Sequence, residues 1–313
     1  MTIPDLFPHG CWDTHHHIFD PSQYPYAPNR HLTPYPATIA DFLAFKRRLG
    51  ITHSVLTHGL SYGDDCTSLT GFTAELNKAS DQTTTKAIAV IDPATITTDE
   101  LQRMHDAGVR GIRVNLYKYE AFHSLERQKV ALQAHAQALD AHGQPHWIMA
   151  FTHPHTEFWP ELSAWLAEGH LPDTIRLVTD HFGLLKCASM LPAQHEGDIT
   201  RQPGFQAIME LVRQGRLFVK LSAPYRVSSL GGGYEDVEPL VRAYFEANPR
   251  QLVWGSDWPH TPHMKVRTPE EALKPTPYLE VDDLAWLQSL RSWLSEEEWH
   301  LLMVENPRRL FDW

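Results

Sequence analysis

The chain lacks the features of a disulfide-stabilised, membrane-spanning or exported protein. Its 313 residues include three cysteines, Cys11, Cys66 and Cys187, and their spacing forms no paired framework, which is typical of a reducing compartment. No apolar run approaches the roughly 20 residues that a transmembrane helix needs. The segment Met1–Gly10 contains no apolar stretch typical of a secretory signal. We therefore expect a cytoplasmic protein without a membrane partner.

Positive charge is also scarce. The formal net charge of −11 disfavours a nucleic-acid partner, because binding to phosphates requires clustered Lys and Arg. With 42% hydrophobic and 21% charged residues, the composition is that of a globular protein able to bury a substantial core. We expect a small-molecule substrate, and a homodimer is the default expectation for assembly.

Eight short runs of β-branched and aliphatic residues alternate with segments of helical spacing. This alternation predicts parallel strands joined by crossover helices, and eight is the strand number of the (β/α)8 TIM barrel, which takes roughly 250 residues plus insertions. We predict an α/β fold with one TIM-barrel domain over residues 1–313. The predicted strands are Cys11–His17, His53–Thr57, Lys86–Ile91, Gly111–Leu116, His146–Phe151, Ile175–Asp180, Leu217–Ser222 and Leu252–Gly255.

Capping residues mark the helices between these strands, with Ser, Thr or Asp near the start and Gly after the end. The predicted helices lie between Thr38 and Gly50 and over Thr67–Lys78, Thr98–Ala107, Ser124–His142, Glu157–Glu168, Gly204–Gln214, Val237–Ala247, Leu279–Leu290 and Glu296–Val304, with a final short helix from Asn306. Two long segments, Asp20–Ala37 and Ala188–Gln202, are predicted loops. Long loops in compact domains are often lids or binding loops, and a packed surface excursion is the alternative.

Polar residues occur at the ends of three predicted strands. His15 and His17 are two residues apart and should point to the same side of the first strand, with His16 facing the other way. His181 directly follows the sixth strand and Asp257 follows the eighth. Because barrel active sites lie at the carboxyl ends of the strands, we expect these groups to converge. Imidazole and carboxylate groups can bind a divalent metal, polarise a carbonyl or deprotonate a water, and we assign Asp257 as the general base.

These strand ends resemble the amidohydrolase-2 family. The resemblance rests on the His15-x-His17 pair, on Asp180-His181-Phe182-Gly183, and on the segment from Trp254 to His260. The extended match resembles the branch of 2-pyrone-4,6-dicarboxylate lactonase and sugar lactonases. Supporting segments are 19–21, 24–28, 108–115, 219–226 and 305–307.

The resemblance implies a hydrolase that opens a lactone or related ester. His15, His17 and His181 would surround the scissile carbonyl while Asp257 activates water. A guanidinium can pair with a carboxylate through two hydrogen bonds, which suits a role in substrate binding. The residues predicted to contact substrate are Arg113, Arg226, Tyr225, His58, His153 and Lys186.

Some positions depart from the resembled branch. His58 stands near the position of a serine, and residues 117–119 and 184–186 replace two arginine-bearing segments. Fewer positive groups and more aromatic ones predict a less anionic, larger and flatter substrate, such as an aromatic or polyketide-like lactone.

The sequence leaves the cofactor open. The fourth strand lacks the bridging lysine of two-metal relatives, whereas His15, His17, His181 and Asp257 would suit one divalent metal such as zinc. The resemblance to a lactonase that works without metal favours no required cofactor. Two alternative functions also stay open, namely a metal-dependent non-oxidative decarboxylase of an aromatic or unsaturated acid and a catalytically silent ligand-binding barrel.

Overall fold

The structure, a computed structural model, describes residues 6–79, 83–141, 143–144, 146–263 and 265–311. Eight parallel strands pair in the order in which they occur along the chain. They are β1 (Trp12–His16), β2 (His53–Thr57), β3 (Thr85–Ala89), β4 (Val109–Arg113), β5 (Ile148–Phe151), β6 (Arg176–Thr179), β7 (Leu217–Leu221) and β8 (Leu252–Trp254).

The two ends of this sheet meet and nearly close a barrel. His16 forms a parallel bridge with Trp258, just after β8. The His17 N–H donates to the Trp258 carbonyl at 2.9 Å, and the Asp257 N–H donates to the His15 carbonyl at 2.8 Å. The predicted (β/α)8 barrel is therefore confirmed, and its closure joins the two strand ends that carry the predicted histidine pair and base.

Helices follow the strands as predicted, with shifted ends, except that the short helix Pro269–Leu273 was not predicted. They are α1 (Ile39–Leu49), α2 (Thr67–Lys78), α3 (Thr98–Asp106), α4 (Leu125–Ala141), α5 (Trp159–Ala167), α6 (Phe205–Arg213), α7 (Glu238–Ala247), α8 (Pro269–Leu273), α9 (Asp283–Trp293), α10 (Glu296–His300) and α11 (Asn306–Phe311). The predicted end of α4 at His142 lies outside the described residues. Among the described residues, no helix is both long and apolar enough to cross a membrane.

Side-chain capping explains where several helices begin. The Thr38 side chain accepts from the Asp41 N–H while Asp41 bonds back to the Thr38 backbone, which starts α1. Asp282 caps α9, so this helix begins at Asp283 and not at the predicted Leu279. The predicted helix Glu296–Val304 is α-helical only as far as His300, and a π-helical turn over Leu301–Glu305 then leads into α11.

Two apolar clusters cover the two faces of the sheet. The smaller one joins inward-facing residues of most barrel strands to Leu310 and Phe311 of α11. The larger one lies between the strands and the surrounding helices. Side chains alternate between the faces along each strand, so Lys220 shares the inward face of β7 with Phe218, which belongs to the smaller cluster. Charged groups thus enter the barrel interior above an apolar floor.

The two predicted long loops differ in their relation to the cavity at the barrel mouth. The segment Asp20–Ala37 includes a two-residue strand, Thr33–Pro34, paired with Pro275–Thr276, and it brings His31 to the cavity. The segment Ala188–Gln202 forms three short 3-10 turns, and none of its residues lines that cavity. The first loop is therefore placed to bind a ligand, and the second is packed surface structure.

Candidate active site

A cavity of about 550 Å³, including its open mouth, lies at the carboxyl ends of the strands. Its lining includes His17, His181, Asp257, Arg113, Arg226 and Arg267. In barrel enzymes this end carries the active site.

The Asp257 carboxylate is the centre of the group. Its Oδ1 lies 3.4 Å from Nε2 of His15, 3.7 Å from Nε2 of His17 and 3.9 Å from Nε2 of His181. All four side chains are buried. The structure thus brings together the four residues predicted at the strand ends. The other histidine of β1, His16, faces outward and stacks on Phe42 of α1 with ring centroids 3.7 Å apart.

The other oxygen of Asp257, Oδ2, has two donors of its own. The Tyr225 hydroxyl donates to it, and Arg226 Nη2 donates at 2.9 Å. Burial alone would raise the pKa of Asp257, but the neighbouring His181 and Arg226 outweigh it and hold the pKa well below its ordinary value. The carboxylate is therefore ionised at neutral pH, with Oδ2 held and Oδ1 turned toward the imidazoles.

Hydrogen-bond partners indicate which nitrogen of two imidazoles carries the proton. His17 Nδ1 lies 2.7 Å from the Thr57 carbonyl, which can only accept, so Nδ1 donates and Nε2 is left as an acceptor when the ring is neutral. The Ser222 hydroxyl oxygen accepts a hydrogen bond from the backbone N–H of His181 at 3.3 Å. It also lies 2.9 Å from the ring nitrogen Nδ1 of His181. If the hydroxyl donates to Nδ1, Nε2 of His181 carries the hydrogen. Asp257 Oδ1 then faces one acceptor, Nε2 of His17, and one donor, Nε2–H of His181.

A charged layer lies beneath these groups inside the barrel. Lys220 Nζ is 3.2 Å from Asp180 Oδ1 and 3.1 Å from His15 Nδ1, and these three side chains have no solvent exposure. Burial alone would raise the pKa of Asp180, but the Lys220 ammonium holds it well below its ordinary value. Burial and the same ammonium lower the pKa of His15 to about 4, so this imidazole is neutral at pH 7.

Sequence reasoning missed Asp180 and Lys220 as members of the site. A signal was present for Lys220, since it is the single charged residue in β7, which is otherwise apolar and fully buried. Asp180 directly precedes His181 in the motif that carried the prediction. Neither residue was assigned a role from the sequence. The role of a buried charged residue becomes clear only when its partner on the neighbouring strand is known.

The chain folds tightly where β8 ends. A Cβ at Gly255 would lie 2.6 Å from the His15 Cβ, so only glycine allows β8 to approach β1 so closely. Ser256 then bonds the buried Asp13 carboxylate through its hydroxyl at 2.6 Å and its N–H at 2.9 Å. Asp257 follows with φ of 59° and His181 has φ of 56°, conformations that cost about 1 kcal/mol or more for residues other than glycine. Local strain thus occurs at the residues that aim into the cavity.

The donor set fits one divalent metal. Ligand atoms of His15, His17 and Asp257 lie within 4.8 Å of one another, and the buried His15 Nε2 has no hydrogen-bond partner among the described residues. Two imidazoles and a carboxylate are ligands that zinc accepts. A second group of possible ligands, His15, Asp180 and His181, also meets this distance. There the Lys220 ammonium already contacts Asp180 and would compete with a cation.

Some of the predicted substrate-binding residues line the cavity and others do not. Arg113 lines the cavity, and it forms no ion pair with a carboxylate of the described residues. Arg226 also lines it, but its guanidinium is engaged with Asp257 and with the carbonyls of Thr261 and Pro262. Tyr225 is turned to Asp257 and does not line the cavity. Both residues therefore hold the predicted base.

The remaining three candidates lie outside the cavity lining. His58 is buried with Nε2 3.3 Å from the Ser68 hydroxyl, and burial lowers its pKa to about 4. His153 packs against the rings of Phe158 and Trp159. Lys186 Nζ donates to the Arg226 carbonyl at 2.5 Å. In each case packing or a local bond directs the side chain away from the cavity.

Imidazoles, a carboxylate and arginines at the carboxyl ends of the strands of a parallel barrel are typical of an enzyme with this fold. The family model described as amidohydrolase matches residues 12–313. The chain therefore belongs to the amidohydrolase family, and the resemblance drawn from the strand ends is confirmed.

Named relatives are similar along nearly the whole chain. The chain is 28% identical to the 4-sulfomuconolactone hydrolase of Hydrogenophaga intermedia, covering 98% of this chain and 90% of the relative. It is also 28% identical to the 2-pyrone-4,6-dicarboxylate hydrolase of Comamonas testosteroni, covering 97% and 90%. A solved structure of a probable 2-pyrone-4,6-dicarboxylic acid hydrolase from Acinetobacter baumannii matches the fold with a TM-score of 0.69 at 23% identity, covering 97% and 100%. The prediction of an amidohydrolase-family hydrolase is confirmed.

Proposed function

We propose that this protein hydrolyses a lactone by attack of water on the ring carbonyl. One observation carries the proposal. An ionised carboxylate, Asp257, is held through Oδ2 by Arg226 and Tyr225, and its Oδ1 faces three imidazoles beside an open cavity. A carboxylate with one free oxygen suits general-base catalysis, and the relatives named as lactone hydrolases support the reaction class.

In the first step Asp257 Oδ1 takes a proton from water as the water oxygen bonds to the lactone carbonyl carbon. The acceptor nitrogen of His17, on the same side of the carboxylate, fixes the second hydrogen of that water. This arrangement explains why His17 Nε2 and Asp257 Oδ1, two acceptors, face each other at 3.7 Å. A molecule that donates to both would satisfy them.

The attack places negative charge on the former carbonyl oxygen. The Nε2–H of His181 and the neutral His15 supply hydrogen-bond donors for this oxyanion. The Lys220 ammonium beneath His15 supplies nearby positive charge. When the tetrahedral intermediate collapses, the bond from carbon to the ring oxygen breaks. The ring oxygen then receives the proton that Asp257 holds, which returns the carboxylate to its ionised form. The product is an open-chain acid with a hydroxyl group.

The cofactor prediction belongs to this proposal. We propose that no cofactor is required, since Lys220, Arg226 and the imidazoles supply the positive charge and the donors that the reaction needs. A divalent metal such as zinc, when bound, would be held by His15, His17 and Asp257 and would polarise the carbonyl or acidify the water. Elemental analysis of protein purified without chelator, and turnover before and after chelation, tests this. Stoichiometric metal and loss of activity on chelation would contradict metal-independent catalysis.

Ring opening of defined lactones tests the function. The substrates are 4-sulfomuconolactone, 2-pyrone-4,6-dicarboxylate and the aryl lactone dihydrocoumarin, followed by acid release and by mass spectrometry. We expect opening of at least one ring by the wild type, and loss of that activity in Asp257→Asn. Failure to open any of them would contradict the proposal. Release of carbon dioxide from an aromatic acid instead would favour the decarboxylase alternative.

A further inference from the structure

We propose that His123 and His155 form a metal site outside the active-site cavity, which binds a divalent transition metal such as zinc. His123 lies between β4 and α4, and His155 lies between β5 and α5, so two neighbouring loops each supply one imidazole. Neither residue lines the cavity that contains Asp257. The inference therefore goes beyond the proposed lactone hydrolysis and does not depend on it.

The two rings face each other through nitrogen atoms. Nδ1 of His123 lies 2.6 Å from Nε2 of His155, and the ring centroids are 4.9 Å apart with the planes at 78°. When both rings are neutral, one nitrogen donates its hydrogen to the lone pair of the other. A metal ion can replace that hydrogen and accept a lone pair from each ring. Two nitrogens bound to tetrahedral zinc lie roughly 3.3 Å apart, so the rings need to separate by less than about 1 Å.

Glu157 fixes the tautomer of His155. The His155 carbonyl accepts from the Phe158 N–H at 3.0 Å, and this 3-10 turn brings the Glu157 carboxylate back to the imidazole. Nδ1 of His155 lies 3.0 Å from Oε1 of Glu157. An ionised carboxylate can only accept, so Nδ1 carries the hydrogen and Nε2 presents its lone pair to His123. A carboxylate bound to the far nitrogen is the usual arrangement for a histidine that ligates a metal.

Ring packing holds both imidazoles in place while solvent still reaches them. The His155 ring stacks on Phe158 with centroids 4.8 Å apart, and the His123 ring meets Phe122 edge-on at 4.9 Å. The His155 side chain is 27% exposed and His123 is exposed, so an ion can enter from solution. Among the described residues no third side chain completes a three-ligand group with this pair. Water would therefore fill the other positions of a four-coordinate ion.

A metal at this site would join the loops that follow β4 and β5. Phe122, next to His123, stacks on Tyr117 with centroids 4.7 Å apart and planes 18° apart, and Tyr117 lines the active-site cavity. Two packed rings thus connect the metal site to the cavity wall. A bound ion stabilises the folded protein, because the unfolded chain does not hold the two imidazoles together.

A second histidine of the chain provides a matched control. Nε2 of His170 lies 3.0 Å from Oε2 of Glu168, and the His170 ring stacks on Trp165 with centroids 5.1 Å apart. This group repeats the carboxylate and the stacked ring found at His155. Within the described part of the chain, its hydrogen-bond and ring contacts include no facing imidazole. His170 therefore should not bind zinc at concentrations that fill the proposed site.

Calorimetric titration of chelator-treated protein with zinc chloride tests the site. Because the active-site group can also take an ion, the stoichiometries of variants are compared. Wild type should bind one more zinc ion per chain than either His155→Gln or His123→Gln, and His170→Gln should match wild type. Glu157→Gln should weaken this binding about tenfold, within the range seen when the carboxylate partner of a ligating histidine is lost. Equal stoichiometry in wild type, His155→Gln and His123→Gln would overturn the inference.

Two further measurements give independent readouts. Thermal unfolding with and without zinc should show a larger rise in Tm for wild type than for His155→Gln, and equal rises would contradict a metal held between the two loops. Magnesium chloride should not displace zinc from the site, because magnesium prefers oxygen ligands whereas imidazole suits zinc. Displacement of zinc by an equal concentration of magnesium would show that the imidazoles are not the ligands.

Discussion

The deep part of the site and its rim are built differently. The deep groups, His15, Asp180 and Lys220, come from β strands or their ends, have no solvent exposure, and contact one another at 3.1 to 3.2 Å. At the rim, Arg113 and Arg267 are half-buried and, within the described residues, lack carboxylate partners. The deep charges are compensated inside the protein, whereas the rim charges are available to a ligand. In the proposed function the compensated charges support the reaction, and the rim is where a substrate would enter.

Replacing the base should give the largest effect. Asp257→Asn keeps the shape of the side chain but cannot accept a proton, so we expect kcat for lactone opening to fall by about 10³-fold, within the range of general-base catalysis. KM should change little, because the substitution keeps the shape of the side chain. Steady-state kinetics measure both quantities. A large rise in KM with kcat retained would show that Asp257 binds substrate and is not the base.

The buried lysine should matter for stability as well as activity. Lys220→Met leaves the Asp180 carboxylate buried without its ion-pair partner, and we expect a loss of about 3–5 kcal/mol in the free energy of unfolding in urea. Lys274→Met, at an exposed ion pair with Glu270, is the control and should cost less than about 1 kcal/mol. The double variant Lys220→Met with Asp180→Asn should be more stable than Lys220→Met alone. Equal losses for both lysines would contradict the assigned burial of charge.

Loss of the Tyr225 hydroxyl should shift the pH dependence of activity. The hydroxyl donates to ionised Asp257, and this bond favours the charged form, so Tyr225→Phe should raise the pKa of the carboxyl. Since the ionised form is the base, activity is lost as pH falls through that pKa. The acidic limb of the kcat/KM profile should therefore move to higher pH, while the rate near neutrality changes much less because Arg226 still keeps the carboxyl ionised there. An unchanged acidic limb would show that Tyr225 serves packing alone.

Acid should destabilise the protein through its buried histidines. Burial lowers the pKa of His15, His58 and His153 to about 4 each, below the ordinary value of 6.5. The unfolded chain binds protons on these rings at higher pH than the folded chain does, so stability should fall as pH drops from about 6.5 toward 4. Asp13 opposes this, because burial raises its pKa to about 6, but it is one group against three. Thermal unfolding across this range measures the slope, and His58→Gln should reduce it. A flat profile would contradict the burial of these rings.

The four groups at the strand ends were more predictable from sequence than the rim of the cavity or the charged layer beneath them. The alternation of strands and helices predicted the barrel. Because barrel active sites lie at the carboxyl ends of the strands, His15, His17, His181 and Asp257 were predicted to meet there. The rim depends on loops whose path has no periodic signal, so His31 and Arg267 were not identified. Arg226 was expected at substrate but is paired with Asp257, because a loop conformation after β7 decides which carboxylate the guanidinium reaches. Lys220 lay within a recognised segment, but its role required knowledge of the neighbouring strand.

Hydrolysis in water enriched in oxygen-18 tests the central claim most directly. If Asp257 activates water for attack on the ring carbonyl, one labelled oxygen per turnover will appear in the new carboxylate of the product and none in its new hydroxyl, as read by mass spectrometry of fragments. Label in the hydroxyl, or conversion of the lactone with no label at all, would contradict the mechanism.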